Sequence, residues 1–257
     1  MKGGPRAYHR TEERRTALHY LFLDEGYPSS EKRTVVMAAW VVEQPRLNRA
    51  SASFASLFKP PVLERIESMF EALDAWAVVA TAALESNVYR IGETDAASDV
   101  PEMSRPDSIW SQCAIFTVGA LLRCLFGAGQ VVGTVDVYFD PKDLKASHLD
   151  ATERTLRELM PRIAREYAAE RSSSLLRKLQ IRRFQPVPKT KHGDCGDKFR
   201  MGTWVADKLC SGANRIERTR QTRIVRLDMS DVVRRTVEQW DGINFYARRE
   251  HQNLSSR

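Results

Sequence analysis

Residues 19–26 read HYLFLDEG, an apolar run that ends on two adjacent carboxylates and a glycine. A short apolar run closed by a turn signal marks a central strand. An ionised Asp24 at the end of such a strand is costly unless a cation or a set of hydrogen bonds receives it. Two further segments repeat the theme. Residues 135–140 (VDVYFD) end a strand on Asp140, and residues 204–209 (WVADKL) set Asp207 in an apolar stretch of helix. Three acids far apart in the chain, each in apolar surroundings, point to a shared metal site.

The pattern around them sets out a domain. Residues 18–24 and 34–42 are predicted strands, joined through Gly26, Pro28, Ser29 and Ser30. Helical periodicity over 46–58 and 62–73 is broken at Pro60-Pro61. Residues 75–84 form a short apolar strand, followed by a polar loop over 85–106. Asp107 or Ser108 can cap the next helix, 109–126, which is apolar on nearly every face and belongs under a sheet, covered by other elements. A strong strand over 131–140 stops at Pro141, and 148–170 is an amphipathic, arginine-bearing helix. Residues 176–184 alternate apolar and basic side chains, as an edge strand does, and the loop 186–196 leads into the helix that holds Asp207. A short helix is expected near 231–239.

The expected organisation is a flexible basic arm (1–17), one domain (18–212) and a basic C-terminal extension (213–257). Three early strands followed by alternating helices and strands imply an α/β fold, a mixed five-stranded sheet with helices on both faces, in the order of the ribonuclease H-like fold. In that order the first and fourth strands lie side by side and parallel. Asp24 and Asp140 then reach the same sheet edge, where open α/β sheets bind ligands, and the late helix can lower Asp207 toward them. Three such carboxylates repel one another until a divalent cation joins them, and hard oxygen ligands select Mg²⁺ or Mn²⁺.

Each acid also has a plainer role open to it. Asp24 and Asp140 can each shape a turn, and Asp207 can pair with Lys208 on a solvated helix. Glu25 points opposite Asp24 in a regular strand, though a kink at Gly26 would bring it round as a ligand or general base. Asp136 lies on the side of Asp140 and is read as structural.

The net charge of +7 over 257 residues favours an anionic partner, with nucleic acid first. Lys142, Arg177, Lys178, Arg182, Arg183 and Lys208 are the candidates for phosphate contacts, beside the arginines after Gly212. Tyr27 and Trp204 can stack on a base, although Trp204 suits a core better. The four cysteines show no CxxC spacing. Cys113 and Cys124 read as buried thiols, and Cys195 with His192 and Asp194 makes at most half a zinc site. The first 18 residues lack the apolar core of a secretory signal, and no apolar run reads as long enough to span a membrane. The expectation is a reduced, cytoplasmic protein with no membrane contact, and the pattern leaves open a protein partner or a homodimer.

These residues resemble the domain-of-unknown-function 3800 family, a branch of the ribonuclease H-like superfamily. Its marks are an opening strand ending in Asp-Glu-Ser-Gly, a later apolar strand ending in Asp, and a late helix with an apolar-Ala-Asp-apolar core. Here they stand as Phe22-Leu23-Asp24-Glu25-Gly26, Val137-Tyr138-Phe139-Asp140 and Val205-Ala206-Asp207-Lys208-Leu209, within residues 18–212. The resemblance implies a metal-dependent nuclease acting on RNA or DNA, of a family often associated with mobile elements and phage defence. Two departures stand out. The serine of the first motif is absent, so Gly26 follows Glu25 directly. The helix 109–126 lacks the glutamate that ribonuclease H carries on its first helix, with Gln112 its only long polar acceptor, which leaves either Glu25 or Glu85 to supply a fourth ligand, or a weak or single-metal site.

Overall fold

The structure is a computed structural model that describes residues 18–26, 34–50, 54–83, 105–130, 132–140, 146–171, 179–189, 197–216 and 223–230. Among these residues six strands form one sheet in the order β5-β4-β1-β2-β3-β6. They are β1 (Leu18–Gly26), β2 (Thr34–Glu43), β3 (Trp76–Ala83), β4 (Thr134–Phe139), β5 (Gln180–Pro186) and β6 (Ile224–Asp228). Among the described strands only β2 runs against its neighbours. It pairs antiparallel with β1 and β3, while β1–β4, β4–β5 and β3–β6 are parallel. Strand β1 therefore lies beside β4, as the ribonuclease H-like order requires.

Helices cover both faces. Helices α1 (Gln44–Ala50), α2 (Phe54–Leu57), α3 (Val62–Leu73) and α6 (Lys198–Ser211) lie on one side, and α4 (Arg105–Gly127) and α5 (Ala146–Arg171) on the other. The alternation of β1 sorts its side chains cleanly. Tyr20 and Phe22 enter the core under α6, and Leu21 and Leu23 enter the core under α4. A strand buried on both faces reads as a continuous apolar run, which is how β1 and β2 read. Strand β5, at the edge, buries Ile181 and half-buries Phe184, but the expected alternation breaks at Arg182 and Arg183, both exposed, where the register with β4 shifts.

Two expectations are corrected. The sheet has six strands, not five, because Ile224–Asp228, within the segment assigned to the basic extension, pairs with β3 from Ala77↔Ile224 to Thr81↔Asp228. Its apolar positions are interrupted by Arg226 and preceded by a run of arginines, so the tail reads as charge rather than strand. The segment Trp110–Gly127 is also long and apolar enough to cross a bilayer by length and composition, contrary to expectation. In the fold it is the helix beneath the sheet, 78% buried. It also buries Ser111, Gln112 and Thr117 among its apolar side chains.

Asp74 ties β6 to the rest. It ends α3 in the left-handed region at φ 53°. Its carboxylate accepts from Arg46 Nη1 at 2.5 Å and from Arg223 Nη1, and the Arg223 guanidinium lies 5.0 Å from the Trp76 ring centre. Burial alone would raise the Asp74 pKa, but hydrogen bonds and charge from Arg46 and Arg223 outweigh it and hold the group below its ordinary value. A depressed carboxylate stabilises the fold above its unfolded pKa of about 3.9 and loses that contribution as the pH falls through its folded value. Asp74→Asn keeps a residue that tolerates positive φ and is expected to cost about 2 kcal/mol at neutral pH, the scale of lost charge-assisted hydrogen bonds. Thermal melts from pH 7 to pH 2 should show the gap between wild type and variant closing below about pH 4. A constant gap would mean that the charge of Asp74 is not what holds the clamp.

Candidate active site

Strands β1 and β4 pair from Leu18↔Thr134 to Leu23↔Phe139, so Asp24 and Asp140, each the next residue along, emerge together at one sheet edge. Asp24 shares the face of Phe22 and Tyr20, toward α6. That helix starts at Asp197, whose Oδ1 accepts from the backbone N–H of Phe199 (2.8 Å) and Arg200 (3.3 Å). It ends beside Asp24, where the Cys210 thiol donates to the Asp24 carbonyl at 3.3 Å. Burial, together with the charge of Asp24, pushes the Cys210 thiol well up, so it remains a neutral donor.

The departure at Gly26 has a geometric counterpart. A Cβ on Gly26 would stand 3.0 Å from Cys210 Cβ, tighter than ordinary packing. Glycine lets the end of β1 press directly on the last turn of α6, and Asp207 sits in that turn.

The three aspartates converge on one group, the ammonium of Lys189. Its Nζ stands 2.8 Å from Asp207 Oδ1, 3.6 Å from Asp24 Oδ2 and 3.6 Å from Asp140 Oδ2. The backbone N–H of Lys189 also donates to Asp140 Oδ1 at 3.1 Å, which fixes where the side chain begins. Lys208 Nζ adds a second cation 2.9 Å from Asp207 Oδ2 and lies 5.5 Å from the Trp204 ring centre. Asp24 is the deepest member, its side chain wholly buried, whereas the Lys189 side chain is 39% exposed. Burial would lower the pKa of Lys189, but the hydrogen bond to Asp207 and the charges of all three aspartates hold it above the ordinary lysine value. Burial would raise Asp207, yet Lys189 and Lys208 together hold it below the carboxylate norm. Lys189 and Asp207 therefore each favour the charged form of the other.

Other candidates lie elsewhere. Glu25 turns to the opposite face, where Trp110 Nε1 donates to its Oε2 at 2.7 Å. Asp136 is fully buried and takes Arg182 Nε (2.8 Å) and Nη2 (2.5 Å), with Tyr138 Oη at 3.4 Å, so Arg182 closes a structural pair at the sheet edge. Arg183 is exposed on β5, and Trp204 is core, tilted against Phe58 at 4.7 Å. Gln112 is buried in α4. Cys113 and Cys210 are buried free thiols, and Cys124 is half-buried. Lys142, Arg177, Lys178, Tyr27, Glu85, His192, Asp194 and Cys195 lie outside the described residues.

Lys189 was missed by sequence reasoning. It follows β5 in the stretch Pro-Val-Pro-Lys-Thr-Lys, which has no periodicity to mark one lysine over another. The signal was indirect: β5 lies parallel to β4, so the residues after it leave by the edge that carries Asp24 and Asp140. Val187 N–H donates to the Phe139 carbonyl at 2.7 Å and carries that pairing past the end of the strand. Among the described residues no group of three or more His, Cys, Asp or Glu closes on a metal as the side chains stand. The three aspartates enclose the lysine ammonium instead.

No family model matches the chain, and no curated protein matches it. Solved structures do. RNase HII from Archaeoglobus fulgidus, determined in complex with PCNA, aligns with a TM-score of 0.32 at 14% identity, over 77% of this chain and 74% of that one. A point mutant of Bst-RNase HIII aligns with a TM-score of 0.37 at 13% identity, over 77% of this chain and 52% of that one, so this chain spans about half its length.

Proposed function

We propose that this protein is a metal-dependent nuclease, hydrolysing phosphodiester bonds in RNA or DNA with Mg²⁺ or Mn²⁺ held by Asp24, Asp140 and Asp207. One observation carries the reading: three carboxylates from two strand ends and a helix are directed at a single cation. The donor set fits the ion. All three side chains offer hard oxygens, which suit Mg²⁺ and Mn²⁺ over softer metals. When bound, such an ion activates water and steadies a departing oxygen.

The chain's own groups supply the rest. Asp24, fully buried behind the other two, gives the site a fixed anionic floor, and its Oδ1 is held by the Glu25 N–H at 2.9 Å. Lys208 stands at the open side beside Asp207, where it can meet a phosphate oxygen. Arg183 is an exposed positive charge on β5 that would hold substrate without reading sequence. The excess of basic residues draws a polyanion to the surface.

A second reading is a catalytically degenerate nucleic-acid-binding or adaptor protein. Two observations favour it: helix α4 carries no glutamate, and the Lys189 ammonium already occupies the point on which the three carboxylates are directed. Incubation with labelled RNA and DNA pools and Mg²⁺ or Mn²⁺ separates the two. Wild type is expected to cleave at least one pool, and Asp140→Asn is expected to lose that cleavage. Equal cleavage by both proteins would reject the site assignment. Metal indifference with salt-sensitive binding would favour the adaptor.

A further inference from the structure

We infer that Lys189 is the resident cation of the carboxylate cluster, and that a divalent metal enters only by exchanging with its ammonium. The inference rests on the metal-binding reading above and adds what sets the metal's affinity. The Nζ of Lys189 is within 3.6 Å of an oxygen from each of the three aspartates, so it occupies the point on which those carboxylates are directed. Two cations cannot share that point. A +1 ammonium and a +2 ion a few ångströms apart repel strongly in a partly buried site, where screening by water is weak.

The surroundings suit an exchange. The Lys189 backbone is fixed by its N–H bond to Asp140, while the side chain is 39% exposed and reaches the cluster from the solvent side. A four-carbon stem on a fixed root can swing outward without moving the sheet. The cluster therefore has two states with a cation among its carboxylates, one closed by lysine and one closed by metal. Metal binding must expel the ammonium, so apparent affinity is lowered in proportion to the stability of the closed state. The expelled amine stays tethered at the mouth of the site, beside Lys208, where a phosphate would pass.

Three variants and one labelling measurement test this. Lys189→Met removes the charge at similar length, Lys189→Arg keeps it, and Asp207→Asn removes a proposed ligand. Without metal, Lys189→Met is expected to melt below wild type, because three carboxylates lose their cation. Mn²⁺ titrated by calorimetry should bind Lys189→Met about tenfold more tightly than wild type and restore its melting temperature. Lys189→Arg should keep the metal-free stability and bind Mn²⁺ no better than wild type. In the unmodified protein, amine acetylation mapped by peptide mass spectrometry should label Lys189 faster with Mn²⁺ than without it, as the ammonium is driven into solvent. That measurement stands even if Lys189→Met fails to fold.

Mn²⁺ binding that is lost in Asp207→Asn but unchanged in Lys189→Met would overturn the exchange and leave the metal site in place. So would Mn²⁺ binding with no gain in Lys189 labelling. Absence of Mn²⁺ binding to wild type, Lys189→Met and Lys189→Arg alike would overturn both the exchange and the metal reading.

Discussion

Asp207→Asn is expected to abolish metal-dependent cleavage while leaving the protein folded. The residue stands in the last turn of α6 and is the member of the trio nearest to Lys189, at 2.8 Å. The amide keeps the shape but removes the charge, so the cluster holds two carboxylates in place of three and binds a divalent ion far more weakly. A metal ion contributes several kcal/mol of transition-state stabilisation, and each 1.36 kcal/mol is tenfold in rate. A loss of about 10³-fold in kcat/KM follows at fixed Mn²⁺. The fold should survive because Asp207 is near the surface and both partners are lysines able to turn into water. The check pairs a cleavage assay over a Mn²⁺ series with a melting curve. Residual metal-dependent cleavage within about tenfold of wild type would remove Asp207 from the proposed ligand set.

Why these acids could be read from the sequence, and other parts could not, follows from how each is encoded. Asp24 and Asp140 each close an apolar run, and the parallel pairing of the two strands brings them to the same edge. The period of two settles the difference between Asp24 and Glu25 without a structure. Adjacent residues on a strand face opposite ways, and Gly26 introduces no kink that would bring Glu25 round. Instead Glu25 meets Trp110 under the other face. Strand β6 was not legible, because its pairing with β3 joins positions far apart in the chain and its short apolar run is interrupted by Arg226 and preceded by further arginines. Lys189 was hidden for a different reason. Its role depends on position alone, at the exit of a strand whose neighbour had first to be known. Periodicity encodes what a residue packs against, and it is silent on which loop lysine lands among three acids.

Gly202→Ala is expected to be among the most damaging single substitutions in the chain, although alanine is the better helix former. Propensity alone predicts a gain of about 1 kcal/mol for glycine to alanine within a helix. The packing predicts the reverse. A Cβ on Gly202 would stand 2.1, 2.3 and 2.4 Å from ring atoms Cε1, Cδ1 and Cζ of Phe22. That ring has nowhere to go: it is fully buried and stacks on Trp40 at 4.8 Å and on Tyr138 at 5.7 Å. Trp40 in turn donates its indole N–H to the Gly202 carbonyl at 2.8 Å, so lifting the helix breaks a buried hydrogen bond as well. Overpacking of a closed core costs about 1–3 kcal/mol and sometimes more, and the lost bond adds about 1 kcal/mol. The net is about 3 kcal/mol of destabilisation, or roughly 10 °C in melting temperature for a domain of this size. The same helix carries Asp207, so its displacement should also weaken Mn²⁺ binding in whatever fraction remains folded. A melting temperature at or above wild type would show that α6 does not rest on β1 through Gly202, and would remove the support that sets the position of Asp207.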